Sequence, residues 1–121
     1  MTTRQRLDHF TLSKVGVQEE TAELNQIIAK IDRFGLHNHH PGTGISNLDE
    51  LAGEIGDVYG AMGFYLEELA RRLTPEQAGR FEDTMAERGD GKKAKLIALN
   101  TIENKPPRYP VIGADPEEKA A

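Results

Sequence analysis

A chain of 121 residues with 20 acidic and 15 basic side chains carries a net charge of −5, which argues against broad binding to nucleic acid or to an anionic membrane surface. It contains no cysteine, so disulfides, thiolate chemistry and cysteine-ligated zinc are excluded. With 37% hydrophobic and only 6% aromatic residues the chain is one domain's worth with a thin core, a composition that predicts self-association.

The first predicted element is a helix over residues 11–34, ended by Gly35 and Leu36. A loop follows in which His37, His39 and His40 are punctuated by Pro41, Gly42 and Gly44. The second helix opens at Ser46 or Asn47, where Asn47 and Glu50 have the spacing of a capping box, and runs to about Leu73. Thr74, Pro75 and Gln77 restart a third helix with a cap, a first-turn proline and an amide at the third position. The sequence Gly89-Asp90-Gly91 is expected to interrupt it, with residues 92–102 resuming the helix. From Pro106 onward, proline and glycine suggest an extended tail. No period-2 run is long enough for a strand, so the fold expected is all-α. No apolar run approaches the ~20 residues of a membrane span, and the polar start does not read as a signal peptide; a cytoplasmic, non-membrane protein is expected.

On the second helix Leu48, Leu51, Ile55, Val58, Met62, Tyr65 and Leu69 form an apolar seam with alternating 3–4 spacing. Gly53, Gly56, Gly60 and Gly63 gather on a different side. Each mid-helix glycine costs roughly 0.5–1 kcal/mol relative to alanine, so their alignment predicts close approach of another backbone and favours an oligomer. Glu50, Glu54 and Asp57 lie between seam and glycines, which leaves the first half of the helix little surface for water.

On the first helix Val17, Leu24, Ile27, Ile28, Ile31 and Phe34 form one arc, with Glu20 inside it, Glu23 at its margin and Glu19 just outside. An acid on a core-facing stripe is costly unless its charge is compensated, and Lys14 and Lys30 are the only lysines on this helix. Glu20 and Glu23 project from adjacent turns, as do Glu54 and Asp57. Two such pairs facing each other make an all-oxygen cage suited to Mg²⁺ or Mn²⁺. Metal-bound carboxylates of this kind serve phosphoryl chemistry, with a further carboxylate taking the proton from the attacking water; Glu19 is the first candidate for that base and Glu50 the second. The loop histidines lack fixed ligand spacing and a cysteine partner, and read as solvated. No histidine has a glutamate three residues before it, so a di-iron carboxylate bundle is excluded. The short basic run Lys92, Lys93, Lys95 reads as a solvated face.

Glu19-Glu20-Thr21-Ala22-Glu23 followed by Glu54-Ile55-Gly56-Asp57 resembles the EExxE…ExxD signature of the all-α nucleoside triphosphate pyrophosphohydrolases, the MazG-like group. The resemblance covers residues 12–70 well and the third stretch loosely. It implies a helical bundle completed by oligomerisation to a dimer or tetramer, with a catalytic region over residues 1–105 and a proline-rich tail over 106–121. It implies Mg²⁺-dependent cleavage of a nucleoside triphosphate substrate between the α- and β-phosphates, giving a monophosphate and pyrophosphate. By motif position Glu20, Glu23, Glu54 and Asp57 correspond to metal ligands and Glu19 to the residue activating water. Lys93, Asn100, Lys105 and Arg108 are candidates for the basic and amide groups that this family brings onto the phosphates from a later helix. The linker between the half-motifs is longer than usual for the group and carries the histidine-rich loop. Two alternatives share the acid pattern: the related phosphoribosyl-ATP pyrophosphohydrolase, and a non-catalytic helical regulator that binds nucleotide or metal.

Overall fold

Asp8 starts the first helix. Its carboxylate accepts the Thr11 backbone N–H at 2.8 Å and the Thr11 hydroxyl at 2.9 Å, and these two donors hold the Asp8 carboxyl below its ordinary value. Thr11 therefore serves as the capped third residue, and α1 spans His9–Phe34, two residues earlier than expected. Its other end falls where Gly35 takes a left-handed φ of 88° and donates its N–H to Ile31 O at 2.7 Å. The computed structural model describes residues 6–103; the expected tail from residue 106 lies outside them.

The connection to the second helix is tied down along its length. His40 N–H donates to Ile45 O and Gly44 N–H to His40 O, each at 2.8 Å. His40 Nδ1 accepts the Gly42 N–H at 3.1 Å, which gives that imidazole a turn-forming role. Helix α2 spans Asn47–Ala70 and is capped by Ser46, whose hydroxyl accepts the Asp49 N–H at 3.1 Å. Of the two starts expected, Ser46 is therefore the cap, and the box expected between Asn47 and Glu50 does not form. Asn47 is needed elsewhere: it is 1% exposed, donates its side-chain amide to Gly35 O at 2.9 Å, and donates its backbone N–H to Asn38 O at 2.8 Å. One buried amide so links the end of α1 to the start of α2.

The chain divides after Arg72 into two compact units. In the first, α1 and α2 pack as an antiparallel hairpin. Its far end joins His9 edge-on to Phe64 and Phe10 to Tyr65, with ring centroids 5.8 and 5.9 Å apart. A Cβ on Gly16 would stand 3.8 Å from Ala61 Cβ, and near the loop Lys30 meets Glu50. Each step forward on α1 is matched by a step back on α2. Glu68, 4% exposed, is held at the far end by Arg71 at 3.4 Å and His9 at 3.8 Å. Arg72 donates to the Glu68 carbonyl at 2.8 Å and lays its guanidinium 4.1 Å from the Phe10 ring centre.

Ile27, 5% exposed, is the sole buried hydrophobic side chain among the described residues. Leu51, Val58, Met62, Tyr65 and Leu69 of the seam are half-buried, whereas Ile28, Leu48, Ile55 and Tyr59 are exposed. The four aligned glycines of α2 are also exposed, and a Cβ at any of them would meet nothing within 4 Å. Among the described residues the expected close backbone approach does not occur, and the first half of α2 keeps its access to water.

In the second unit Thr74 and Gln77 form a reciprocal capping box, with the Thr74 N–H on Gln77 Oε1 at 2.9 Å and the Gln77 N–H on Thr74 Oγ1 at 3.2 Å. Helix α3 spans Pro75–Glu103. It runs unbroken through Gly89-Asp90-Gly91, where an interruption was expected. Good helix formers stand on both sides, Ala86, Glu87 and Arg88 before and Lys92, Lys93 and Ala94 after, and they carry the hydrogen-bond ladder across two glycine penalties. The regular secondary structure of the described residues is helical throughout, apart from an isolated bridge between His39 and Ser46, and no helix among them is long and apolar enough to cross a membrane.

Candidate metal centre

The antiparallel register decides which acids meet. With the Gly16–Ala61 and Lys30–Glu50 contacts fixed, Glu20 falls opposite Asp57 and Glu23 opposite Glu54. Three-residue spacing on each helix keeps each pair on adjacent turns, so the two pairs come level across the hairpin, and three of the four acids converge. Glu20, Glu23 and Glu54 each offer a carboxylate oxygen, and those oxygens all lie within 4.8 Å of one another. Asp57 lines the adjoining cleft with Glu23 and Glu54, and its charge bears on both Glu20 and Glu54.

Glu20 and Glu54 are half-buried, and the Oε2 atom of each is shielded from solvent without a hydrogen-bond partner. Burial raises the Glu20 carboxyl above its ordinary value, with the negative charges of Glu23, Asp57 and Glu54 acting in the same direction. Burial also raises Glu54, aided by Glu23 and Asp57. Carboxylates this close relieve one another only by sharing protons or by sharing a cation. A donor set made wholly of carboxylate oxygens, two of them orphaned, fits a hard divalent cation such as Mg²⁺.

The cleft beside the cluster measures about 590 Å³ and opens between α1, α2 and the end of the loop. Glu23, Gln26, Ile27 and Lys30 line one wall; Asp49, Glu50, Gly53, Glu54 and Asp57 line the other, with Ile45 from the loop. Glu50, the second candidate base, is engaged: its Oε2 accepts from Lys30 Nζ at 3.2 Å. Glu19, the first candidate, is exposed and is not among the residues lining the cleft. Lys93 and Asn100 are exposed on α3 in the second unit, and Lys105 and Arg108 lie outside the described residues. Lys30 was not singled out as a site residue from sequence, although its position two turns after Glu23 places it on the same face of α1. Glu68 was missed as a buried acid because its two partners come from the helix start and from the turn after α2.

No protein-family model, curated protein or solved structure matches the chain.

Proposed function

We propose that this protein is a Mg²⁺-dependent nucleoside triphosphate pyrophosphohydrolase of the MazG-like kind, cleaving its substrate to a nucleoside monophosphate and pyrophosphate. The observation that carries the proposal is the pair of shielded, partnerless carboxylate oxygens on Glu20 and Glu54, set in one cluster with Glu23 beside an open cleft. Glu20, Glu23, Glu54 and Asp57 would hold the metal. Bound there, Mg²⁺ would neutralise phosphate charge and orient the substrate. The chain's own contribution is to set four acids on two rigid helices so that little reorganisation precedes reaction. The base role falls to Glu19 on motif position alone, since it stands exposed beside Glu20 and off the cleft wall. It takes the proton of the attacking water as the water oxygen bonds to the α-phosphorus; the bond from that phosphorus to the α–β bridging oxygen breaks, and pyrophosphate leaves with the electron pair.

The test is a screen of common and modified nucleoside triphosphates, with phosphoribosyl-ATP included, in the presence of Mg²⁺ and with products identified. The expected result is monophosphate plus pyrophosphate, abolished by excess EDTA. Undiminished hydrolysis in EDTA, or release of orthophosphate and diphosphate, would overturn the mechanism. Turnover confined to phosphoribosyl-ATP would assign the chain to the related activity.

The same reading includes a homo-oligomer, dimer or tetramer. Its support is the open glycine arc of α2 together with the exposed Ile28, Leu48, Ile55 and Tyr59, the last 76% exposed, apolar side chains that a second copy of the chain could cover. Light scattering should give a mass at least twice the 13.4 kDa of one chain. A monomer mass that persists across concentration would refute it.

A further inference from the structure

The cleft has a charge problem that its acids cannot solve. Five of its lining residues are carboxylates: Glu23, Asp49, Glu50, Glu54 and Asp57. Among the described residues that line it, Lys30 is the single cation. Its ammonium lies 3.2 Å from Glu50 Oε2, and both side chains are about one-third exposed, at 34% and 35%. Partly exposed ion pairs of this kind hold weakly, and a lysine on a four-carbon stem presents a mobile point charge suited to phosphate. Lys30 stands two helical turns from Glu23, about 10 Å along α1, so it faces the cleft beyond the acid cluster.

We propose that Lys30 is a phosphate-binding residue of this site, parked on Glu50 while the cleft is empty and transferred to the distal phosphates of a bound polyphosphate. Resting on the pyrophosphohydrolase reading, this gives each end of the substrate its own partner. The carboxylate cluster serves the α–β junction, and Lys30 meets the β- and γ-phosphates, which leave together as pyrophosphate. The ammonium offsets the negative charge that grows on that leaving group. Glu50 then acts as a competitor for the ammonium, and its removal frees Lys30 for phosphate.

Calorimetric titration of the full chain with inorganic pyrophosphate at fixed excess Mg²⁺, with orthophosphate as the short control, tests this. Lys30→Met should weaken pyrophosphate binding about ten- to a hundred-fold, the scale of one charge-assisted hydrogen bond, and Lys30→Arg should restore most of it. Glu50→Gln, which breaks the same ion pair from its other side, should tighten pyrophosphate binding. Orthophosphate affinity should change least. Two results would overturn the proposal: wild-type pyrophosphate affinity in Lys30→Met, or equal weakening in Lys30→Met and Glu50→Gln, which would mark the pair as purely structural. Failure of the hydrolase reading looks different. A wild-type protein that hydrolyses no triphosphate yet binds magnesium pyrophosphate in a Lys30-dependent way would sink the activity and leave this site standing.

Discussion

Glu54→Gln should abolish Mg²⁺-dependent turnover and the thermal stabilisation by Mg²⁺ together, while making the metal-free protein more stable at neutral pH. The opposed signs follow from one feature. Glu54 Oε2 is shielded and partnerless, and Glu23 and Asp57 place negative charge against its carboxylate. In the metal-free protein a glutamine removes one of these repelling charges and supplies an amide donor to the neighbouring carboxylates. With Mg²⁺ present the wild type gains a ligand that binds only the folded state, worth about 2.7 kcal/mol at a hundred times Kd, and the variant loses that gain with its ligand oxygen. The pH profile carries the same signature. Glu20 and Glu54 are raised above the ordinary value of 4.5, so the folded chain binds their protons more tightly than the unfolded chain does. The stability they contribute is full below about pH 4.5 and is lost as pH rises through the raised values. Metal-free wild type should lose more stability than Glu54→Gln across that window. Thermal melts of both proteins across pH, with and without Mg²⁺, measure every part of this. A variant that keeps its Mg²⁺ shift, or that is less stable than wild type without metal at neutral pH, would remove Glu54 from the ligand set.

The elements that sequence located well are those whose signals are local. Gly35, the Thr74–Gln77 box and the apolar periodicities of the first two helices depend on neighbours within one or two turns, and the structure places α1, α2 and the start of α3 accordingly. The local signals that misled were ones that a second partner overrides. Asn47 has the chemistry of a cap, but a carbonyl across the loop takes its amide and leaves Ser46 to cap α2. Gly89 and Gly91 have the chemistry of a break, but the helix formers around them outweigh two penalties of about 1 kcal/mol. In the site, the acids were legible because three-residue spacing survives any antiparallel register that brings the two pairs level. The Lys30–Glu50 pair was not legible, since it depends on the loop length that sets that register. The exposed glycine arc shows a further limit: the pattern is plain in sequence, and among the described residues no other backbone comes close to it.

Glu19→Gln should cut kcat by about 10²–10⁴, the usual size of a lost general base, while leaving Mg²⁺ and substrate affinity near wild type. Glu19 precedes Glu20 on α1, is exposed, and is absent from the three acids whose oxygens converge within 4.8 Å. Removing its charge therefore leaves that donor set intact, and the Mg²⁺ shift in melting temperature should persist. Its exposure also suits the role, because a base that accepts a proton from water must return it to solvent before the next turnover. Glutamine keeps the shape and loses only the capacity to take the proton, so the defect should lie in kcat with KM little changed. Calorimetric Mg²⁺ titration beside steady-state kinetics separates the outcomes. Loss of metal as complete as in Glu54→Gln would make Glu19 a ligand. A wild-type rate would mean that a carboxylate lining the cleft activates the water instead, and that the resemblance in motif does not extend to Glu19.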